Sequence, residues 1–257
     1  MCGNNAPIAV FDSGVGGISV LRELVRELPH ENFYYFGDSK NAPYGPRPAE
    51  EVCALTMDCA KTLFARDCKA LVVACNTATS AAIETLRETY PGRPIVGIEP
   101  ALKPAVAAKE HPGVLVMATA MTLREEKFRR LMESYADRAQ IYRLPAPGIV
   151  EFVERGVTEG PELERYLRGI FEIYQNRQID SIVLGCTHFP FVRGEIVRCF
   201  GRPVEIFDGA PGTARETRRR LEEEKLLNPS PMPGVVSLHN SADTPHMLEL
   251  SRRLLAI

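Results

Sequence analysis

The sequence predicts an α/β protein of two similar lobes, each a mainly parallel sheet flanked by helices, with the active site in the cleft between them. Three observations predict it. Short apolar runs alternate with amphipathic stretches along nearly the whole chain, the pattern of parallel strands covered by helices on both faces. The unusual loops (Asp12-Ser13, Pro43-Tyr44-Gly45, Cys75-Asn76-Thr77, Thr119 to Thr122 and Cys186-Thr187-His188) all follow predicted strands, where ligands bind in such sheets. Two of these loops match each other. Leu71-Val72-Val73-Ala74 leads into Cys75-Asn76-Thr77, and 111 residues on, Ile182-Val183-Leu184 leads through Gly185 into Cys186-Thr187-His188.

The elements follow in order. Ile8 to Phe11 reads as a strand, and Ile18, Leu21, Leu24, Val25 and Leu28 repeat at helical spacing until Pro29 stops them. Phe33 to Phe36 is a strand opening into a long turn-rich loop from Gly37 to Gly45, and long loops after strands often carry function. A helix from about Pro48 to Arg66 leads to the Cys75 strand, and a helix over Ser80 to Thr89 is broken by Pro91-Gly92-Arg93-Pro94. Strands are expected at Ile95 to Ile98, Val114 to Ala118 and Ala139 to Leu144, with one charged helix running from after Thr122 through Met132. Helices at Gly148 to Glu154 and Pro161 to Gln175 precede the Cys186 strand. Beyond it come a helix at Phe191 to Phe200, a strand at Val204 to Phe207 and a helix at Thr213 to Leu227. After a proline-rich linker at Asn228 to Gly234, Val235 to Leu238 and Thr244 to Leu255 add a last strand and helix.

Composition narrows the class. The 257 residues are 45% hydrophobic and 25% charged, enough apolar surface for one large or two ordinary cores. A net charge of −2 offers no global attraction for nucleic acid or membrane, and Arg218-Arg219-Arg220 reads as the wet face of a charged helix. No apolar stretch is long enough to span a bilayer, and Met1 to Val10 lacks the pattern of a secretory signal. Seven cysteines without CxxC spacing fit a reduced cytosol, so a cytoplasmic location is expected. Cys53, Cys59, Cys68 and Cys199 read as structural, and Cys2 as part of a disordered terminus. That leaves Cys75 and Cys186. Each thiol is placed beside backbone N–H groups at a helix N-terminus, which favour thiolate.

Each motif also has a plain structural reading. Asp12-Ser13-Gly14-Val15-Gly16-Gly17 lacks the third glycine of GxGxxG and the GK[ST] of a P-loop. Asp12 is either a helix-capping group or a carboxylate facing an amine or thiol. Cys75 and Cys186 could each be a buried small residue before a capping pair, and it is their recurrence in one frame that favours chemistry. His188 adds a titratable group beside Cys186, whereas His30, His111, His239 and His246 read as structural. Tyr44 offers an O–H and Gly45 an unhindered N–H to an anionic ligand. No cofactor motif is visible, so no cofactor is expected, and no metal site either, since no second ligand lies near His188 at short spacing.

Taken together, four segments resemble the glutamate racemase family, cofactor-independent bacterial enzymes of the aspartate/glutamate racemase superfamily that make D-glutamate for peptidoglycan. They are Phe11 to Gly17, Pro43-Tyr44-Gly45, Ala74 to Ala78 and Gly185 to Pro190, with a weaker match at Val150 to Gly156. The resemblance implies that Cys75 and Cys186 are the acid/base pair, with Cys75 acting on D-glutamate and Cys186 on L-glutamate. It implies Asp12, Glu154 and His188 as their supporting groups. It implies substrate contacts from Asp12, Ser13, Tyr44, Gly45, Asn76, Thr77, Thr187 and His188. The implied lobes are residues 1–96 plus 208–257, and 97–207, and the implied assembly is a homodimer. The chain departs from the family at Leu123 to Phe128, at Pro145-Ala146-Pro147 and at Asp208-Gly209, none of them in the cysteine motifs. Aspartate racemisation, a non-catalytic two-lobed amino-acid binding protein and a covalent thiol hydrolase are the rival readings. The last leaves the second cysteine unexplained.

Overall fold

The computed structural model of the protein describes residues 3–242 and 244–256, so Cys2 lies outside the described residues. Among the described residues nine strands run in chain order: β1 (Ile8–Asp12), β2 (Phe33–Gly37), β3 (Ala70–Val73), β4 (Ile95–Gly97), β5 (Gly113–Ala118), β6 (Gln140–Pro145), β7 (Ser181–Gly185), β8 (Glu205–Asp208) and β9 (Val236–Asn240). They form two sheets, ordered β4-β3-β1-β2-β9 and β6-β5-β7-β8, and every ladder is parallel. The chain divides into two compact units, residues up to Glu99 together with Ala210 onward, and Pro100–Gly209.

In the first unit the interior strands β1 and β3 are apolar up to the Asp12 that ends β1, because helices cover both faces. Ile8, Ala9, Val10 and Phe11 are all buried. The helices are α1 (Ile18–Glu27), α2 (Ala49–Phe64), α3 (Asn76–Thr89) and, from the returning C-terminal segment, α10 (Ala210–Glu223) and α11 (Pro245–Ala256). Helix α1 packs on α10 and α11, and α2 packs on α3. At the N-terminal end of the sheet, buried Lys69 donates to Glu31 Oε2 at 2.5 Å and to the Leu226 carbonyl at 2.8 Å. Burial pushes the Lys69 amine down, and the Glu31 partner offsets part of that.

The second unit holds α4 (Leu102–Ala107), α5 (Ala120–Arg124), α6 (Glu126–Glu133), α7 (Pro147–Glu154), α8 (Pro161–Phe171) and α9 (Arg193–Phe200). One core cluster joins Leu102, Val106, Val114, Val116, Phe128 and Val183. Several elements differ from the sequence reading. Helix α4 was not expected. The single charged helix is two, because Glu125 takes an extended conformation (φ −58°, ψ 129°) between α5 and α6. Helix α3 starts at Asn76, with Cys75 as its N-cap, and not at Ser80. The Phe191 to Phe200 helix is a 3-10 turn over Phe189–Val192 followed by α9.

In both sheets the strand order reverses at one place. In the first, β1 leads to β2 on one side while β3 leads to β4 on the other. In the second, β5 leads to β6 and β7 to β8 in the same divergent way. The crevice outside the strand ends at such a switch point is where open α/β sheets bind ligands. Cys75 follows β3 and Cys186 follows β7, so each thiol sits at the switch point of its own sheet.

Candidate active site

The first unit's switch point is built from the ends of β1 and β3. Their backbones are locked by the Ala74 N–H donating to the Phe11 carbonyl at 2.7 Å. Gly17, just before α1, allows the loop to close, since a Cβ there would lie 2.5 Å from Asp12 Cβ. The Cys75 sulfur accepts the Ala78 N–H at 3.4 Å, and Ser13 Oγ lies 3.4 Å from it. Helix α3 thus points its N-terminus, with its partial positive charge, at the sulfur. Asp12 is fully buried and its Oδ1 accepts the Gly14 N–H at 2.9 Å, closing the turn. The N-cap of α1 is Gly17, which has no side chain to cap the helix itself.

Two further predicted residues follow Cys75. Thr77 is buried. Asn76 is 4% exposed, and neither its Oδ1 nor its Nδ2 has a hydrogen-bond partner. A buried amide with a free donor and a free acceptor costs a few kcal/mol unless something else completes it.

Tyr44 is buried beside Phe11, but its hydroxyl is donated to Asp38 Oδ2 at 2.7 Å. Burial, then the bond to Asp38 and its charge, push the phenol far above its usual range. The hydroxyl therefore braces the loop, and the half-buried Gly45 backbone follows it. Asp38 also accepts from Asn41 Nδ2, at 3.0 and 3.1 Å, and its N–H donates to the Asp12 carbonyl at 2.9 Å. The sequence reading missed Asp38. An acidic residue opening a long loop directly after a strand was the available signal.

The second unit's switch point is assembled differently. Gly185 pairs with Ala118, and a Cβ on it would lie 3.0 Å from Ala118 Cβ. The Cys186 sulfur lies 3.6 Å from His188 Nδ1, and His188 Nε2 lies 2.7 Å from Glu154 Oε1. Glu154 is the last residue of α7. Burial alone would push the imidazole down, but the hydrogen bonds to Cys186 and Glu154 and their charges outweigh it and hold it well above its usual range. A protonated His188 donates one N–H to the sulfur and the other to the carboxylate. Thr187 is buried beside them. Thr119, at the end of β5, accepts the Thr122 N–H at 3.2 Å and donates to Thr122 Oγ1 at 3.0 Å.

Of the remaining described cysteines, which form no disulfide, Cys53 and Cys59 lie within α2, Cys199 within α9, and Cys68 just before β3. Burial, then Asp38 and Asp58, push the Cys59 thiol up to about 12, and burial raises Cys199 too. Among the described residues no group of three or more His, Cys, Asp or Glu could hold a metal ion, and no helix is long and apolar enough to cross a membrane.

The sequence model of the Asp/Glu/hydantoin racemase family matches residues 10–217. The chain is 51% identical over 251 residues to a glutamate racemase of Clostridium acetobutylicum, covering 98% of both chains. It is 49% identical to one of Clostridium botulinum, over 98% of this chain and 97% of that one. Among solved structures, glutamate racemase of Thermus thermophilus in complex with β-chloro-D-alanine superposes with a TM-score of 0.82 at 36% identity, covering 98% of this chain and 94% of that one. That of Francisella tularensis in complex with D-glutamate gives 0.86 at 25% identity, covering 99% and 95%. The chain belongs to the Asp/Glu/hydantoin racemase family and within it groups with the glutamate racemases.

Proposed function

We propose that the protein interconverts L- and D-glutamate without a cofactor, with Cys75 and Cys186 as the two acid/base groups on opposite faces of the substrate α-carbon. One thiolate removes the α-proton while the other thiol delivers a proton to the opposite face, and the roles reverse for the other enantiomer. Cys75 acts on D-glutamate and Cys186 on L-glutamate. The observation that carries the reading is the pair of hydrogen-bonded thiols, each at the switch point of its own sheet. A single structural thiol calls for neither the recurrence nor the supporting groups.

The α-hydrogen of an amino acid is a very weak acid, so the charge developing on the carbon and carboxylate must be met by fixed donors. Asn76 supports this role because its unpartnered Nδ2 and Oδ1 suit a carboxylate and an ammonium together. Ser13, Thr77, Gly45 and Thr187 supply further donors, Asp12 faces the ammonium, and His188 with Glu154 serves Cys186. In this reading the enzyme works in the cytoplasm, as a homodimer, and provides D-glutamate for peptidoglycan.

The test is polarimetry on a panel of L- and D-amino acids that includes aspartate, run in D₂O on the wild type and on each Cys→Ser variant. Loss of rotation from glutamate with deuterium entering the α-position, and its collapse in both variants, is the expected result. Full activity in both variants excludes the two-thiol scheme. A preference for aspartate reassigns the substrate. Activity lost on dialysis and restored by pyridoxal phosphate overturns the cofactor-free reading.

A further inference from the structure

The first unit carries a cavity at the end of its sheet opposite Cys75. It encloses about 420 Å³, between the C-terminal turn of α3, the Tyr90-to-Ile95 connection and α10. That volume is within the range of small-molecule sites. Arg93 Nη1 donates to the Cys68 carbonyl at 2.8 Å, which fixes the cavity at the start of β3. The active-site thiol Cys75 lies seven residues further on, roughly 20 Å along the extended chain at about 3.3 Å per residue.

Three guanidiniums line this cavity, those of Arg87, Arg93 and Arg220, against one carboxylate, Glu216. That carboxylate is already taken: Arg219, which does not line the cavity, holds both of its oxygens at 2.7 Å. Arg87 reaches the exposed Glu84 at 3.9 Å, and the charges of Arg87 and Arg220 act on Glu216 without a direct bond to it. Arg93 is fixed at its carbonyl bond and over the Phe64 ring. The Nε of Arg220 is buried with no acceptor. A plain structural role would pair these arginines with acids or with the last carbonyls of α3 and α10. Arg87 makes only long contacts of 3.5 Å, to the Ile95 carbonyl, and Arg220 has no acceptor for its Nε. Like charges gathered on one cavity repel unless an anion joins them. Guanidiniums match phosphate oxygens in geometry as well as charge. The Tyr90 ring, tilted against Phe64, adds an apolar wall.

We infer that this cavity is a binding site for a small phosphate-bearing anion, inorganic phosphate or a phosphate monoester, held by Arg87, Arg93 and Arg220. The inference is independent of racemisation, because binding is read without turnover.

The experiment is a thermal-shift and calorimetric titration of the full chain at constant ionic strength. Inorganic phosphate is the first probe, phenyl phosphate the second, and chloride the control. Phosphate is expected to raise the melting temperature where chloride does not. A phenyl phosphate midpoint about tenfold lower assigns the site to phosphate monoesters, and equal midpoints assign it to inorganic phosphate. Arg220→Met removes no hydrogen bond made by Nε, so its melting temperature without phosphate stays at the wild-type value while the phosphate midpoint rises about tenfold or more. Arg87→Met, at a half-exposed side chain, gives the same result and carries the test if Arg220→Met fails to fold. No phosphate-specific shift, or an unchanged midpoint in the folded variants, overturns the inference.

Discussion

Around Cys75 the sulfur meets a serine hydroxyl and the N–H of a 14-residue α-helix. Around Cys186 it meets an imidazole backed by a carboxylate, and the chain beyond it forms a four-residue 3-10 turn. The topology is the same on both sides, and the support is not. A long helix aligns its peptide dipoles and favours negative charge at its N-terminus, whereas one 3-10 turn aligns few. Where the helix is missing, protonated His188 supplies the positive charge. In the first unit Asp12 closes β1, while in the second β5 ends at Ala118 with Thr119 following it, and the carboxylate, Glu154, arrives from α7. The comparison teaches that a duplicated frame fixes where a thiol sits, while what stabilises its charge is settled locally by each unit.

The largest effect should come from breaking both sides equally. Cys75→Ala and Cys186→Ala are each expected to lower kcat by roughly 10²–10⁴-fold, the usual worth of a positioned acid or base. Circular dichroism of the folded variants checks that the loss is chemical. Retention of more than a tenth of the activity in either would remove that thiol from the mechanism.

Next, His188→Asn and Glu154→Gln should weaken only the Cys186 side, by about 10–100-fold, because a hydrogen bond to a charged group contributes about 1.5–3 kcal/mol. The equilibrium constant of a racemisation is one, so kcat/KM must fall equally in both directions. The asymmetry appears instead in primary isotope effects. With the Cys186 step limiting, α-deuterated L-glutamate shows a larger effect than α-deuterated D-glutamate, whose deuteron leaves in the other step. Equal isotope effects in these variants would dissolve the division of labour.

The same pair sets a pH dependence of stability. His188 is held well above its ordinary value of about 6.5, so it binds its proton more tightly folded than unfolded. Its stabilisation is fully present below the unfolded value and is lost as pH rises through the folded one. Urea unfolding of the wild type and His188→Asn should therefore differ most below about pH 6 and converge on the alkaline side. A gap that widens with pH would mean that His188 is neutral in the folded protein.

How much of this was legible in sequence depends on range. Cys75, Asn76 and Thr77 are read from a strand running into a polar triplet, since the cap is local. Helix α3 nevertheless starts four residues before Ser80, because the Cys75 cap overrides the weak helix preference of Asn76 and Thr77. Helix α10 likewise begins at Ala210, with Pro211 tolerated in its first turn. Glu154 lies 34 residues from His188 and no spacing rule connects them, so only family resemblance suggested it. For Asp38 the sequence shows only an acidic residue opening a loop after a strand, because its role depends on the Tyr44 hydroxyl turning inward to it. The break at Glu125 carries no Pro or Gly to announce it.

The smallest expected effect isolates the Cys75 side. Ser13→Ala removes one neutral contact at 3.4 Å and leaves the Ala78 N–H and the helix in place. A neutral hydrogen bond contributes about 0.5–1.5 kcal/mol, so a loss of about 2–10-fold in kcat/KM is expected. The isotope asymmetry should be the mirror of that in His188→Asn, larger with α-deuterated D-glutamate. A much greater loss than tenfold would mean that Ser13 also holds the substrate, and a rise in KM at constant kcat would separate that role from support of the thiol. An unchanged enzyme would leave the dipole of α3 as the main support of Cys75, and the contrast between the two thiols would become one of helix against imidazolium alone.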